Sequence, residues 1–152
     1  MALNYNMPVM TGKSGRLGSF WLHFVFDVPK IRESAFSIGI PINTDFKLGK
    51  LNGGWVVRDS YIKIPEASDA SVTYDLGFTE AGTDICTGVD ATDTTTYVDW
   101  VQMTIDPDTQ PVSLARATAT HYLWLKVGVA AQYKGKLEVL LECIAGADDN
   151  KF

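Results

Sequence analysis

The sequence predicts an all-β protein, an antiparallel β-sandwich of the jelly-roll type with about seven or eight strands. The 152 residues contain several short runs in which apolar and polar side chains alternate with period two, the pattern of a strand with one buried face. The runs are separated by turn signals rich in glycine and proline. None of the 152 residues falls in a convincing long helix. Sandwiches and jelly rolls are the architectures that accommodate such a strand count while limiting open edges.

The chain divides into an arm, one domain and a tail. Residues 1–18 mix Gly, Ser, Asn and Pro with two isolated basic residues, which predicts an extended N-terminal arm. Residues 19–146 form the single sandwich domain, which is long enough to bury its own core. Residues 147–152 are polar and are predicted to form an exposed tail.

The stretch from Trp55 to Phe78 shows the pattern clearly. It predicts two strands joined by a short polar connection at 65–69. In the second strand, Val72, Tyr74, Leu76 and Phe78 form the buried parity. In the first, Val56, Ile62 and Ile64 share one parity and Trp55, Val57, Tyr61 and Lys63 the other.

Before this stretch, residues 19–28 form the most apolar run and are expected to be a strand covered on both faces, by the core and by an arm or a neighbouring subunit. Residues 30–35 could form a single helical turn, 36–40 a strand and 43–54 a loop that ends in the turn Asn52-Gly53-Gly54.

After Phe78, residues 79–96 read as a long polar loop and 97–105 as a strand. Residues 112–117 are a short strand at best. The pattern is clearer at the end of the chain, where 121–131 and 136–144 alternate around a hairpin turn at 132–135. In the first of these strands, Leu123, Leu125, Val127 and Val129 form one face and Tyr122, Trp124 and Lys126 the other.

The composition excludes several classes of function. The net charge is −5, and residues 69–152 hold thirteen of the eighteen acids, which argues against nucleic acid as the main partner. No apolar window is long enough for a transmembrane helix, and the N-terminus lacks the pattern of a signal peptide, so we expect a cytoplasmic product. Cys86 and Cys143 fit neither a redox pair nor a zinc site. Free thiols packed as small hydrophobes are favoured over the alternative, a disulfide between the two.

Catalytic chemistry is not expected, and neither a metal nor a cofactor is predicted. His23 and His121 are the only candidate bases, and neither accompanies a nucleophile motif. His23 is predicted to be a core or interface histidine, and His121 a surface residue at a strand start. We therefore expect a protein that is not an enzyme.

The aromatic residues indicate a possible binding function more strongly than the histidines indicate catalysis. If the parity of Tyr122 and Trp124 faces outward, the two rings form an interface patch or a sugar-stacking platform. If the arm covers that face, they belong to the core. The candidate interface residues are Arg16, Phe20, Trp21, Tyr122 and Trp124.

Three local patterns occur within residues 56–144. Gly77-Phe78 closes an alternating strand, a loop carries Asp84 and Gly88-Val89-Asp90, and a return strand begins Gly135-Lys136-Leu137-Glu138-Val139. In these patterns, residues 56–144 resemble small β-sandwich structural proteins of tailed bacteriophages, the capsid decoration and minor virion proteins.

The resemblance implies a non-enzymatic decoration or cement protein on the capsid surface of the virion, made in the host cytoplasm. Its partner would be the major capsid protein, bound through the arm and the sandwich faces, and the protein would be a homo-oligomer with a trimer favoured. Two alternatives remain: a tail, connector or fibre-base component, and a carbohydrate-binding module that uses Tyr122, Trp124 or Trp100.

Overall fold

The computed structural model describes residues 19–34, 36, 38–103, 112–115 and 120–145. More than half of them lie in two antiparallel sheets, which confirms the all-β sandwich. The predicted arm and tail lie outside the described residues. The elements are β1 (Ser19–Asp27), α1 (Val28–Ser34), β2 (Thr44–Asn52), β3 (Trp55–Glu66), β4 (Thr73–Gly77), β5 (Cys86–Asp90), β6 (Val101–Gln102), β7 (Val112–Ser113), β8 (Thr120–Gly128) and β9 (Lys136–Ala145).

The strand order is that of a jelly roll. The first sheet runs β1-β9-β3-β6, with β7 pairing a second stretch of the same free edge of β3, and the second sheet runs β2-β8-β4-β5. Consecutive strands therefore alternate between the sheets over much of the chain. The two strands predicted within Trp55–Phe78 exist, but β3 and β4 lie in opposite sheets. The expectation of a closing hairpin was wrong, because β8 and β9 also belong to different sheets.

The core is the space between the two sheets, and period-two alternation fills it from both sides. The first sheet contributes the inward side chains of β1, β9 and β3, and the second sheet those of β2, β8 and β4. The fully buried residues include Phe24, Phe26, Ile62, Val139, Leu141, Phe46, Leu125 and Tyr74. At the centre, the ring of Phe26 lies 5.1 Å from that of Phe46 and 6.1 Å from that of Tyr74, so one side chain of β1 contacts two strands of the other sheet.

A β-bulge overturns one predicted parity. The pairing of β3 with β9 shifts between Val57 and Asp59, so Val57 is buried, whereas Val56, which shares the sequence parity of Ile62, is half-buried. An extra residue in one strand reverses which side chains face inward beyond it. Strict alternation in the sequence could not reveal this shift.

Two segments assigned to loops are strands. Residues 44–52 form β2, whose alternation is interrupted by a second irregularity between Lys47 and Gly49. Residues 86–90 form β5, a short edge strand in which only Cys86 and Val89 are buried. Both strands have too few buried side chains in strict alternation to stand out from a polar background.

Two segments predicted to be strands contain less strand in the structure than expected. Of 36–40, the described part contains a single bridge, between Ile40 and Gln132, since Gly39 has φ of 110° and leaves extended geometry. Of 97–105, the structure describes 97–103, and in that part β6 is the only strand, while 97–100 form turns and irregular backbone. The single helical turn expected at 30–35 is instead the seven-residue α1, which starts at Val28 with Pro29 in its first turn, where proline is tolerated. None of the helices formed by the described residues could cross a membrane.

Val129 was predicted to continue the inward face of β8, and this was wrong. It follows the last residue of β8, is 63% exposed and has φ of 69°. A β-branched side chain in the left-handed region is strained.

Replacing Val129 with glycine is therefore expected to raise the free energy of unfolding by about 1 kcal/mol, because glycine adopts this conformation without a steric penalty. The matched control is Val98→Gly. Val98 is similarly exposed (61%) and is not among the residues with positive φ, so glycine there should be neutral or destabilising. Urea unfolding of both variants measures the difference, and equal effects would contradict strain at Val129.

Cys86 and Cys143 are buried free thiols in opposite sheets. Burial raises the pKa of Cys86 from 9.0 to about 12, and burial also raises the pKa of Cys143 to about 12. The unfolded thiols ionise near pH 9 while the folded ones keep their protons, so both groups reduce stability as pH rises from about 9 to 12.

We expect the unfolding free energy of the wild type to fall more steeply over this range than that of Cys86→Ala/Cys143→Ala, by up to about 2.7 kcal/mol per pH unit. Denaturant titrations at pH 8 to 11 provide the measurement. Parallel pH profiles for the two proteins would show that the thiols ionise as readily in the folded chain as in the unfolded one.

Candidate interaction surfaces

The described residues hold no group of three or more His, Cys, Asp or Glu side chains arranged to bind a metal ion. Both histidines have local partners. His23 Nε2 lies 2.7 Å from Glu138 Oε1, and His121 Nε2 lies 2.9 Å from the carbonyl oxygen of Ala115. Three surfaces of the described part are distinctive.

The first surface is on the outer face of the second sheet. Tyr122 and Trp124 point away from the core, as one of the two interpretations of the sequence required, and both are half-buried. Their ring centroids are 6.4 Å apart with an interplanar angle of 73°. Lys47, the register partner of Trp124 on β2, places Nζ 4.2 Å from the centroid of the Tyr122 ring and 5.3 Å from that of Trp124. We call Lys47, Tyr122 and Trp124 the aromatic–lysine patch.

The patch combines an apolar surface with a positive charge. An ammonium group over two rings gains cation–π stabilisation of about 0.5–1 kcal/mol at an exposed site, which holds Lys47 in place. Farther along, the register places Lys126 between Asp45 and Asp75 on the flanking strands. The sequence identified the two rings, whereas it did not identify Lys47, because the residues around it were assigned to a loop.

The second surface is the outer face of the first sheet. Trp21 on β1 packs 5.8 Å from Tyr61 on β3, and the two rings are tilted at 47°. His23, besides contacting Glu138, meets the ring of Trp100 edge-on at 5.6 Å. Lys63 Nζ lies 5.8 Å from the centroid of the Trp100 ring. Burial, with Asp59 and Glu142 nearby, raises the pKa of Tyr61.

This face is half-buried rather than covered. Its central side chains, those of Trp21, His23, Tyr61 and Leu140, are neither fully exposed nor buried by the described residues. The prediction that β1 is covered on both faces is therefore met on the core side, while on the outer side neighbouring side chains give partial cover.

The remaining candidates differ in position. Phe20 shares the inward parity of β1 and meets Trp55 edge-on at 4.7 Å, so it packs against the margin of the core. Arg16 lies outside the described residues. The structure brings Trp21 and Phe20 to opposite faces of one strand, and Tyr122 and Trp124 to the other sheet, so the candidates do not form one continuous site.

The third surface lies at the end of the sandwich that carries α1. Pro29, Arg32, Glu33 and Tyr133 line a depression of about 300 Å³. Arg32 donates a hydrogen bond to the carbonyl oxygen of Tyr133, and its guanidinium lies 5.4 Å from the centre of that ring. The backbone of the same turn donates to Asp69 from the N–H groups of Tyr133 and Lys134.

Exposed apolar side chains cluster in two segments, one of which contains Tyr133 of this depression. Four of the six large apolar residues that are exposed in the described part belong to 38–42 and 129–133, two segments joined by the bridge between Ile40 and Gln132: Ile38, Ile42, Val129 and Tyr133. Sequence reasoning missed them because each is isolated along the chain and only the fold brings them together.

Comparison with solved structures finds this fold in phage capsids. A chain of the structure "Capsid of Ralstonia phage GP4" matches with a TM-score of 0.63 and 12% identity, over 93% of this chain and 92% of that one. This chain therefore shares its fold with a chain of a phage capsid structure. A chain of "Cyanophage Pam1 capsid asymmetric unit" matches with a TM-score of 0.58 and 13% identity, over 90% of this chain and 93% of that one. The sequence matches no protein-family model and no curated protein.

Proposed function

We propose that this protein is a non-enzymatic structural protein of a tailed-bacteriophage virion, a decoration or cement protein that binds the major capsid protein on the capsid surface. The observation that carries the proposal is the match to chains of two phage capsid structures over at least nine-tenths of each chain. A match of this extent covers far more of the chain than one common motif.

The surface chemistry supports a binding role. Protein interfaces favour aromatic residues, and half-buried tryptophans are typical energetic anchors. The protein presents such residues on both outer faces, Trp21 on the first sheet and Trp124 on the second. Two faces suit a protein that contacts both the shell and other copies of itself, in line with the homo-oligomer, and the favoured trimer, that the resemblance implies.

The carbohydrate-binding alternative finds less support. A sugar stacks on the open face of an aromatic ring, whereas Lys47 Nζ lies 4.2 Å from the centre of the Tyr122 ring and 5.3 Å from that of Trp124. Glycan-array binding that disappears in Trp124→Ala would favour the alternative and contradict our proposal.

Binding to purified shells that lack the protein tests the proposal. We expect saturable binding of the full chain, and a decrease of about 10- to 100-fold in affinity for Trp124→Ala or Trp21→Ala, whichever faces the shell, because loss of an anchor costs about 2 kcal/mol or more. Val98→Ala is the control, since Val98 is an exposed apolar residue.

Two further measurements complete the test. Deletion of residues 1–18 should weaken binding if the arm contributes, and unchanged binding and particle stability would contradict the arm's part in the proposal. Mass spectrometry of particles distinguishes the shell from the tail: occupancy across the shell supports a decoration protein, and a few copies at one vertex would indicate a tail or connector component. Absence of the chain from particles would overturn the proposal entirely.

A further inference from the structure

β1 is an edge strand whose outer edge has no backbone partner among the described residues. The order of the first sheet places it at the margin with β9 as its neighbour. The nine residues pair with β9 without interruption, from Ser19 opposite Ile144 to Asp27 opposite Lys136. In an antiparallel pair, every second residue directs its N–H and C=O away from the partner strand. β1 therefore offers a row of backbone hydrogen-bonding groups that have no partner strand among the described residues.

The usual protections of an edge are missing from β1 and present elsewhere in the same molecule. Native edges are kept short, interrupted by bulges, or marked with lysine or proline. β2 carries Lys47 and Lys50 and a register shift between Lys47 and Gly49. β5 has five residues and a glycine at φ of 62°, and β6 and β7 have two residues each. β1, with the sequence SFWLHFVFD, has neither a bulge nor a lysine, arginine or proline.

We propose that residues 3–10 of the same chain add to this edge as an antiparallel strand. Leu3, Tyr5, Met7 and Val9 alternate with Asn4, Asn6 and Pro8, which is the period-two pattern of a strand with one apolar face. The eight residues match the nine of β1 in length. Pro8 fits a strand that becomes the new outer edge, because proline lacks the N–H that a further strand would need.

The connection favours pairing within one chain. Residues 11–18 contain three glycines and a serine, and a flexible segment of eight residues has a root-mean-square span of about 15 Å. Neighbouring strands are about 4.8 Å apart, so the segment reaches its own β1 without extension. A short flexible connection also raises the local concentration of the arm to about the millimolar range, above that of arms from free copies in dilute solution.

The added strand would have two consequences. It would prevent copies from pairing edge to edge through β1, the side reaction that an open apolar edge invites. It would also place Lys13 and Arg16 in the connection at the start of β1, where they would add positive charge to an otherwise acidic protein. This inference concerns the isolated chain and does not depend on the proposed function.

Amide hydrogen exchange of β1, measured by NMR on the isolated 16.7 kDa protein, tests the inference. In the full chain we expect slow exchange at all of β1. In a chain that lacks residues 2–10, the amides that point away from β9 should exchange at least about 10-fold faster, while those bonded to β9 keep their rates. Deletion of 147–152 is the matched control and should change neither set. The full-length variant Tyr5→Pro/Met7→Pro should behave like the deletion, because proline removes two ladder donors.

The outcomes separate the possible occupants. Fast exchange of the outward amides in the full chain would overturn the proposal, as would slow exchange that persists after the deletion. A mixture of labelled deletion protein with unlabelled full chain distinguishes the source of the strand. If the labelled β1 regains protection, the strand is exchanged between copies, and the assignment to the same chain is wrong.

Discussion

Phe26→Ala is expected to lower the free energy of unfolding by about 3–5 kcal/mol, the range for removing a large buried aromatic side chain. Phe26 is fully buried, and its ring contacts those of Phe46 and Tyr74 in the opposite sheet. The truncation leaves a cavity between the sheets that neither sheet can close without moving against its hydrogen-bonded neighbours. The free energy of unfolding of a native domain is only about 5–15 kcal/mol, so this loss is a large fraction of the total stability.

Unfolding in guanidinium chloride measures this loss. The shift of the denaturation midpoint gives the change in unfolding free energy, provided that the variant has the same m-value as the wild type. Val98→Ala, at a side chain that is 61% exposed, serves as the control and should stay within about 0.5 kcal/mol. A loss below about 1 kcal/mol for Phe26→Ala would mean that the side chain does not join the two sheets.

Gly77→Ala is expected to lower the free energy of unfolding by about 2–4 kcal/mol, because the substitution both overpacks the site and breaks a hydrogen bond. A Cβ atom on Gly77 would lie 2.5 Å from the carbonyl carbon of Gly82 and 2.7 Å from Asp84 Oδ2. The first is backbone and cannot rotate away. The second is the oxygen that accepts a hydrogen bond of 2.9 Å from the N–H of Phe78, so displacing it leaves that donor without its partner.

Gly128→Ala is the matched control for this substitution. A Cβ there meets only the hydroxyl oxygen of Thr73, at 3.0 Å, and a threonine side chain can adjust. When both variants are titrated with urea, we expect Gly128→Ala to lower the free energy of unfolding by less than about 1 kcal/mol. Equal losses for the two variants would show that the loop over Gly77 moves freely, and that the Gly77-Phe78 and Asp84 pattern has no role in packing.

The pattern that carried the resemblance thus has a structural explanation. Gly77-Phe78 and Asp84 form a tight loop closure at the end of β4, in which the missing side chain and the carboxylate are both required. The sequence showed these residues at fixed positions, and it could not show that they touch.

The aromatic–lysine patch could be predicted from the sequence only in part. The outward direction of Tyr122 and Trp124 follows from alternation with Leu123 and Leu125, so the sequence identified both rings and left open what covers them. Lys47 could not be found in this way. It reaches the two rings across the pairing of β2 with β8, and β2 was hidden by its own irregular register.

By itself the sequence determined the fold class and the inner faces of the regular strands. Period-two alternation in β4, β8 and β9 requires one buried face, and a short chain with many such strands has to close them into two packed sheets. This information is local, since it lies in side chains two residues apart.

Only the tertiary structure decided which sheet each strand joins, where bulges at Val57/Asp59 and Lys47/Gly49 reverse the inward parity, and which edges remain open. These features depend on backbone pairing between residues far apart in the chain. Backbone groups are nearly identical in all residues, so pairing leaves little trace in the sequence, whereas the burial of side chains leaves a clear one.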